Sequence, residues 1–240
     1  MSDAPPSLSF LPLGDRALLV EFGEQPDPAV SDRVSALTAW LDRHPLAGVT
    51  DLVPAMCSLA LHYDPEAWQG DDPARTPYDR LVSALQAVVP QVPAVPQRVG
   101  AVIEIPVVYG GEFGEDLAEL ARACGLAPEE VVDIDSATVY NVSMLDLAPG
   151  FAYLGPLDER LSLPRRDTPR TRVPAGSVAV ANAFTAVYPA ELPGGWHLIG
   201  RTPLTLFDLG RDPPARLAAG NRVRFVPVDA ARFHELGAAQ

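Results

Sequence analysis

The sequence predicts an α+β fold in two parts. A split-βαβ, ferredoxin-like domain is expected over residues 1–95, followed by a β-barrel domain over 101–240. Three observations predict it. Strand and helix signatures alternate as β-α-β-β-α-β through the first hundred residues. A Pro-rich break from Gln91 to Gln97 interrupts the pattern. Beyond it come many short strands set between Gly and Pro turns, the texture of a closed or nearly closed barrel.

The elements follow in order. Arg16–Phe22 (RALLVEF) reads as a strand. Asp27-Pro28 starts a helix, because Asp caps the free N–H groups and Pro suits the first helical position. Val30, Val34, Leu37 and Leu41 then recur at helical spacing through about Arg43. Gly48–Val53 and Ser58–Tyr63 read as strands joined near Pro54. Thr76-Pro77 starts a second helix with Leu81, Leu85 and Val88 on its buried face. Ala101–Val108 is the next strand. Glu112–Ala123 reads as an acidic helix closed by Gly125, and Pro128 opens another with Glu129 and Glu130 in its first turn. Candidate strands then fall at Tyr140–Leu147, Ser177–Ala181, Trp196–Gly200, Leu204–Phe207 and Arg222–Pro227.

The totals exclude several classes. The chain has 240 residues and a formal net charge of −13, which argues against nucleic acid or an anionic membrane as the main partner. No apolar run approaches the roughly 20 residues needed to span a bilayer. No basic-then-apolar leader pattern opens the chain, and a cytoplasmic protein is expected. There is no lysine, so a lysine Schiff base and a complete Walker-type phosphate loop are both excluded within this chain. Cys57 and Cys124 match no redox or metal spacing and are expected to be reduced. His44, His62, His197 and His234 are scattered, and no metal site is expected.

Chemistry concentrates between Ala148 and Thr202, which is dense in Pro, Gly, Arg and aromatic residues. Arg165, Arg166, Arg170 and Arg172 crowd into eight residues of an acidic chain. A guanidinium fork suits a phosphate or a carboxylate. Pro164, Pro169 and Pro174 stiffen the segment. Residues two apart in an extended strand share a face, so Arg170 and Arg172 are expected to act on one anion. Phe151, Tyr153, Tyr188 and Trp196 supply candidate aromatic walls, and Gly194 and Gly195 allow backbone to approach a ligand. His197 is the candidate acid–base group.

The motifs FLPLGDRALLVEFG, IPVVYGGEFGEDL, APGFAYLG, PRRDTPRTRVPAGSV, VYP and PGGWHLIGRTPL together resemble the B-type component of the prokaryotic ATP-dependent 5-oxoprolinase. That family is also known as allophanate hydrolase subunit 1 and includes the Kip-type sporulation kinase inhibitor. The resemblance runs from about Leu11 to Phe207. It implies a cyclophilin-like barrel for the C-terminal half. It implies a hydrolase that works as a hetero-oligomer, in which the B-type and C-type components use ATP, with Mg, to activate 5-oxoproline. An A-type component then completes ring opening to glutamate. The C-type component is expected as a separate chain, and this chain by itself is expected to be inactive. The same resemblance allows a second reading, a protein-binding module that inhibits a sensor histidine kinase. Prolyl isomerisation, by analogy with cyclophilin, lacks a matching active-site pattern.

The sequence departs from the family at several positions. Asp135 stands where the family usually has His, and Asp146-Leu147 replaces Gly-Phe. Ala181-Asn182 replaces Gly-Gly, Phe184-Thr185-Ala186 replaces Gln-Thr-Gly, and Leu192 replaces Ser. These changes remove polar and glycine positions around the expected pocket.

Overall fold

The computed structural model describes residues 8–25, 27–93 and 101–238. They form two compact units, divided within the segment 94–100. Most of the Pro-rich break, and the chain start where a leader was sought, lie outside the described residues.

The first unit carries four strands and two helices among its described residues. They are β1 (Ser9–Pro12), β2 (Ala17–Glu21), α1 (Pro28–Arg43), β3 (Val49–Pro54), β4 (Ser58–Tyr63) and α2 (Pro77–Val88). The sheet order is β1-β2-β4-β3, and all neighbours are antiparallel. β4 lies between β2 and β3, so β2-α1-β3 is the expected split βαβ. The fourth position in that sheet holds a correction. Ala101–Val108 was expected there, and the N-terminal strand β1 occupies it instead. A tight hairpin explains this, because Gly14 takes a positive φ of 69° and the Leu13 N–H bonds to the Ala17 carbonyl.

The helix starts follow the caps. Asp27 accepts from the Ala29 N–H at 2.7 Å. Thr76 and Asp79 form a reciprocal capping box on α2. Both helices bury apolar stripes on the sheet. Val34, Leu37 and Leu41 of α1 and Leu81, Leu85 and Val88 of α2 join Leu18, Val20, Leu59, Leu61 and Tyr63 in one core.

The second unit contains β5 (Ile103–Tyr109), α3 (Leu117–Cys124), α4 (Pro128–Ala137), β6 (Tyr140–Leu145), β7 (Ala152–Gly155), β8 (Arg170–Val173), β9 (Ser177–Ala181), β10 (Phe184–Val187), β11 (Leu192–Gly194), β12 (His197–Arg201), β13 (Arg222–Pro227) and α5 (Ala230–Ala238). Seven of these strands close into a barrel in the order β10-β7-β6-β13-β5-β12-β9. β5 and β13 run parallel and the other barrel pairs run antiparallel. β8 and β11 form a separate two-stranded sheet.

Alternation along the strands gives the barrel two apolar layers. Val178 and Val180 of β9 join the large core with Ala152, Leu154, Val187 and Ile199. Ala179 and Ala181, on the other face of β9, join Ala186, Phe151, Tyr188, Trp196 and Leu198 in a second cluster. Three alanines beneath large rings make the room that those rings fill.

Two further expectations are corrected. Leu204–Phe207 is not a strand; in it only Phe207 makes an isolated bridge, to Ala215. The acidic helix begins at Leu117 rather than Glu112. Gly110 and Gly111 take positive φ values of 69° and 54° and turn the chain out of β5. Residues 110–116 instead lie against β12, with Gly110 N–H bonded to Ile199 O and Asp116 N–H to Leu198 O. The approach needs glycine, because a Cβ on Gly114 would stand 2.1 Å from the Ile199 carbonyl oxygen. Gly125 closes α3 with a φ of 71°, as expected. Among the described residues no helix is long and apolar enough to cross a membrane.

Candidate functional site

The residues singled out in the sequence gather around the outer aromatic layer of the barrel. β7 supplies Tyr153, and Phe151 stands at the strand entrance. The end of β10 leads into Tyr188, and the turn into β12 supplies Trp196. Phe151 sits at the centre, with ring centroids 5.2 Å from Tyr153, 5.1 Å from Tyr188 and 6.2 Å from Trp196. Tyr153 also meets Trp196 at 5.6 Å and Phe184 at 6.2 Å. The contacts of Phe151 with Tyr188 and Trp196 are edge-to-face, the arrangement ring quadrupoles favour. Phe151, Tyr188 and Trp196 are buried, while Tyr153 and Phe184 are half-buried.

Gly194 makes this packing possible. A Cβ there would lie 2.1 Å from the Tyr188 hydroxyl oxygen. Burial pushes the Tyr188 hydroxyl up to about 12, and nearby Tyr153 adds to the rise while Arg165 and Arg170 oppose it. Burial also raises the Tyr153 hydroxyl, helped by Asp146 and opposed by Arg165. Gly195 contributes its carbonyl, which accepts from the Arg166 N–H at 2.8 Å.

The arginines divide by partner. Arg170 Nη2 donates to Asp116 Oδ1 at 2.7 Å, and its Nε lies 3.0 Å from Glu115. Arg166 Nη1 donates to the same Asp116 oxygen at 2.9 Å. The other Asp116 oxygen accepts from the Leu198 N–H at 2.8 Å. Asp116 is only 3% exposed. One carboxylate therefore ties the start of α3, the arginine loop, β8 and β12 together. Arg172 is exposed and makes a two-pronged pair with Glu191. The structure thus gives Arg170 and Arg172 different carboxylate partners and does not bring them onto one anion. Arg165 is exposed, and its guanidinium carbon stands 6.0 Å from the centre of the Trp196 ring. Among the described residues it has no hydrogen bond or ion pair.

His197 points its Nε2 at the Pro164 carbonyl, 2.9 Å away. A carbonyl only accepts, so Nε2 carries the proton. Nδ1 is buried and has no partner among the described residues. The imidazole therefore fixes the backbone of the arginine loop. Beside it lies an open cleft of about 370 Å³, lined by Glu119, Pro164, Arg165, Arg166, Thr168 and His197 among others.

The departures from the family motifs have visible consequences. Ala181 underlies the aromatic layer and Phe184 adds a ring to it. Leu192 packs against the same layer. Asn182 and Leu147 take positive φ values of 53° and 65°, the region glycine favours. Asp135 is fully buried on α4, where the hydroxyls of Tyr109 and Tyr140 each donate to it at 2.6 Å. Burial pushes its carboxyl up to about 6, against the lowering pull of the two hydroxyls.

Sequence reasoning missed Asp116. It reads as one more acid on a solvated helix, and its partners lie 50 to 82 positions away. The one available signal was an acidic residue just after a glycine-rich turn, in the same motif set as an arginine-rich loop.

A family model described as carboxyltransferase domain, subdomain C and D, matches residues 8–217. The B subunit of 5-oxoprolinase from Bacillus subtilis (strain 168) is 39% identical over 224 residues, which are 92% of this chain and 93% of that one. The crystal structure of TTHA0988 superimposes with a TM-score of 0.74 at 37% identity, covering 90% of this chain and 41% of that longer one. The Kluyveromyces lactis urea amidolyase structure gives a TM-score of 0.72 at 21% identity over 99% of this chain and 16% of that one, a likeness of fold.

Proposed function

Because the chain belongs to the carboxyltransferase subdomain C and D family, and to the 5-oxoprolinase B-type branch of it, we propose that it is the B-type component of an ATP-dependent 5-oxoprolinase. The observation that carries the reading is the match to the Bacillus subtilis protein, which runs nearly the full length of both chains. The site supports it in kind. A small acid with a compact ring needs a cation for its carboxylate and a flat apolar wall for its ring. The outer face of this barrel offers arginine beside Trp196 and Tyr153.

We place no site for ATP and magnesium on the described residues alone. Among them, no three His, Cys, Asp or Glu side chains gather to hold a metal ion. The chain has no lysine for a phosphate. Arg166 and Arg170 are already held by Asp116. We therefore assign ATP to the assembly with the C-type partner, and ring opening to the A-type partner. This chain's part is to hold 5-oxoproline. We place the complex in the cytoplasm, consistent with two free cysteines.

The test is reconstitution. The chain, mixed with its C-type and A-type partners, should form a stable hetero-oligomer that hydrolyses ATP only when 5-oxoproline is present and releases glutamate. The chain alone should do neither. Robust 5-oxoproline-dependent ATP hydrolysis by the purified single chain would remove the need for partners. No turnover by the full set would sink the oxoprolinase reading.

A further inference from the structure

Four arginines cluster in the loop before β8 and on β8 itself, but their donors are not equally available. Arg166 and Arg170 share one oxygen of a buried carboxylate. Turning either toward a ligand would strip Asp116 of a charge partner, which a buried anion tolerates poorly. Arg172 is committed to Glu191 by two hydrogen bonds. Arg165 differs: it has no carboxylate partner among the described residues. It stands over the Trp196 ring and lines a cleft with Glu119, Asp167, Thr168 and His197, neither carboxylate being paired with it.

The position suits capture of a carboxylate. A guanidinium resting on an aromatic face keeps its N–H donors in its own plane, directed outward. Two of them can then meet both oxygens of a carboxylate. The indole beneath it is only 5% exposed, so the ring surface left to whatever carries that carboxylate is that of Tyr153. The half-buried Tyr153 stands 5.6 Å from the same indole, and its hydroxyl has no partner among the described residues. That hydroxyl can donate to, or accept from, a ring amide. The loop bearing Arg165 is held in place from both sides. His197 grips the Pro164 carbonyl, and the Arg166 N–H bonds to Gly195 O.

We infer that Arg165 is the specificity-determining cation of this site, receiving the carboxylate of a small cyclic amide acid whose ring lies against Tyr153. The identity of the ligand rests on the 5-oxoprolinase reading; the choice of Arg165 rests on the partner geometry.

Calorimetric titration of the full chain, alone and assembled with its C-type partner, tests it with two probes. One is 5-oxoproline, and the other is its neutral carboxamide, which keeps the ring and loses the charge. The wild type should bind the acid at least tenfold more tightly than the amide. Arg165→Ala should weaken the acid at least tenfold and leave the amide unchanged. Arg165→Lys should recover part of the loss, because a point charge replaces the fork. Arg224→Ala, which breaks a surface pair with Glu104 on the far strands, serves as the control and should change neither. If Arg165→Ala binds the acid within twofold of wild type, or the assembled Arg165→Ala complex turns over 5-oxoproline normally, Arg165 is not the carboxylate receptor and the oxoprolinase reading survives. If the wild type neither binds nor turns over 5-oxoproline in either form, both fall.

Discussion

Asp116 and Arg170 are 54 positions apart in the chain, yet the Arg170 Nη2 donates to the Asp116 Oδ1 at 2.7 Å. The bond joins the start of a helix to a strand outside the barrel. Because Asp116 is buried, its removal leaves Arg166 and Arg170 facing each other without their shared counter-charge. Arg170 keeps Glu115 and the buried Leu198 N–H loses its acceptor, so Asp116→Ala should cost about 1–3 kcal/mol of stability, read as a lower urea midpoint. Arg172→Ala breaks a pair whose side chains are 76% and 52% exposed, and should cost less than about 1 kcal/mol. Equal losses from the two variants would refute the distinction.

Stability should fall as pH rises from about 4 to about 6. Asp135 has its carboxyl pushed from 3.8 up to about 6 by burial. Across that window the native state keeps a proton that the unfolded chain has released, so deprotonation favours unfolding. The difference amounts to about 3 kcal/mol once the pH passes 6. Asp135→Asn should flatten that part of the profile, measured as denaturation midpoint against pH. A profile for Asp135→Asn parallel to that of wild type would show that the window belongs to other groups.

Gly194→Ala should destabilise the aromatic layer by about 1–3 kcal/mol, because the new methyl meets the Tyr188 hydroxyl. Adding Tyr188→Phe should recover part of the loss. The recovery should be incomplete, since ring carbons of Tyr188 still lie 2.9 and 3.1 Å from the new Cβ. Thermal melts of the two variants decide it: a double variant no better than the single one argues against this contact.

Thr76→Ala should lower stability by about 1 kcal/mol. The side chain accepts from the Asp79 N–H, and the Asp79 carboxylate answers to the Thr76 N–H. A melt unchanged by the substitution would show that the first turn of α2 is held by packing alone.

Local chemistry was legible in the sequence, and distant pairing was not. Ser58–Tyr63, Ser177–Ala181 and Arg222–Pro227 match their strands because alternation and flanking turns are local signals. The α1 and α2 starts were legible for the same reason, through Asp27 and Thr76. β7, β8, β10 and β11 escaped, being three or four residues long in a loop-like composition. α5 and β1 also gave too little periodic sequence to be found. The assignment of Ala101–Val108 to the first sheet failed because nothing within that strand names its partner. The site followed the same rule. Its aromatic members were visible by type, whereas the carboxylate that occupies Arg166 and Arg170 came from another element.

The parallel seam between β5 and β13 sets an order of assembly during translation. Glu104 and Arg224 sit side by side there although 120 positions separate them. The first strand of the barrel leaves the ribosome long before the strand that seals it. At about 5–20 residues per second, the nascent chain carries an unsealed edge for roughly 6–24 s. In that interval α3, α4 and the arginine loop are synthesised against an open sheet. A chain cut short before Arg222 keeps every residue of the candidate site and loses the strand that completes the barrel beneath it.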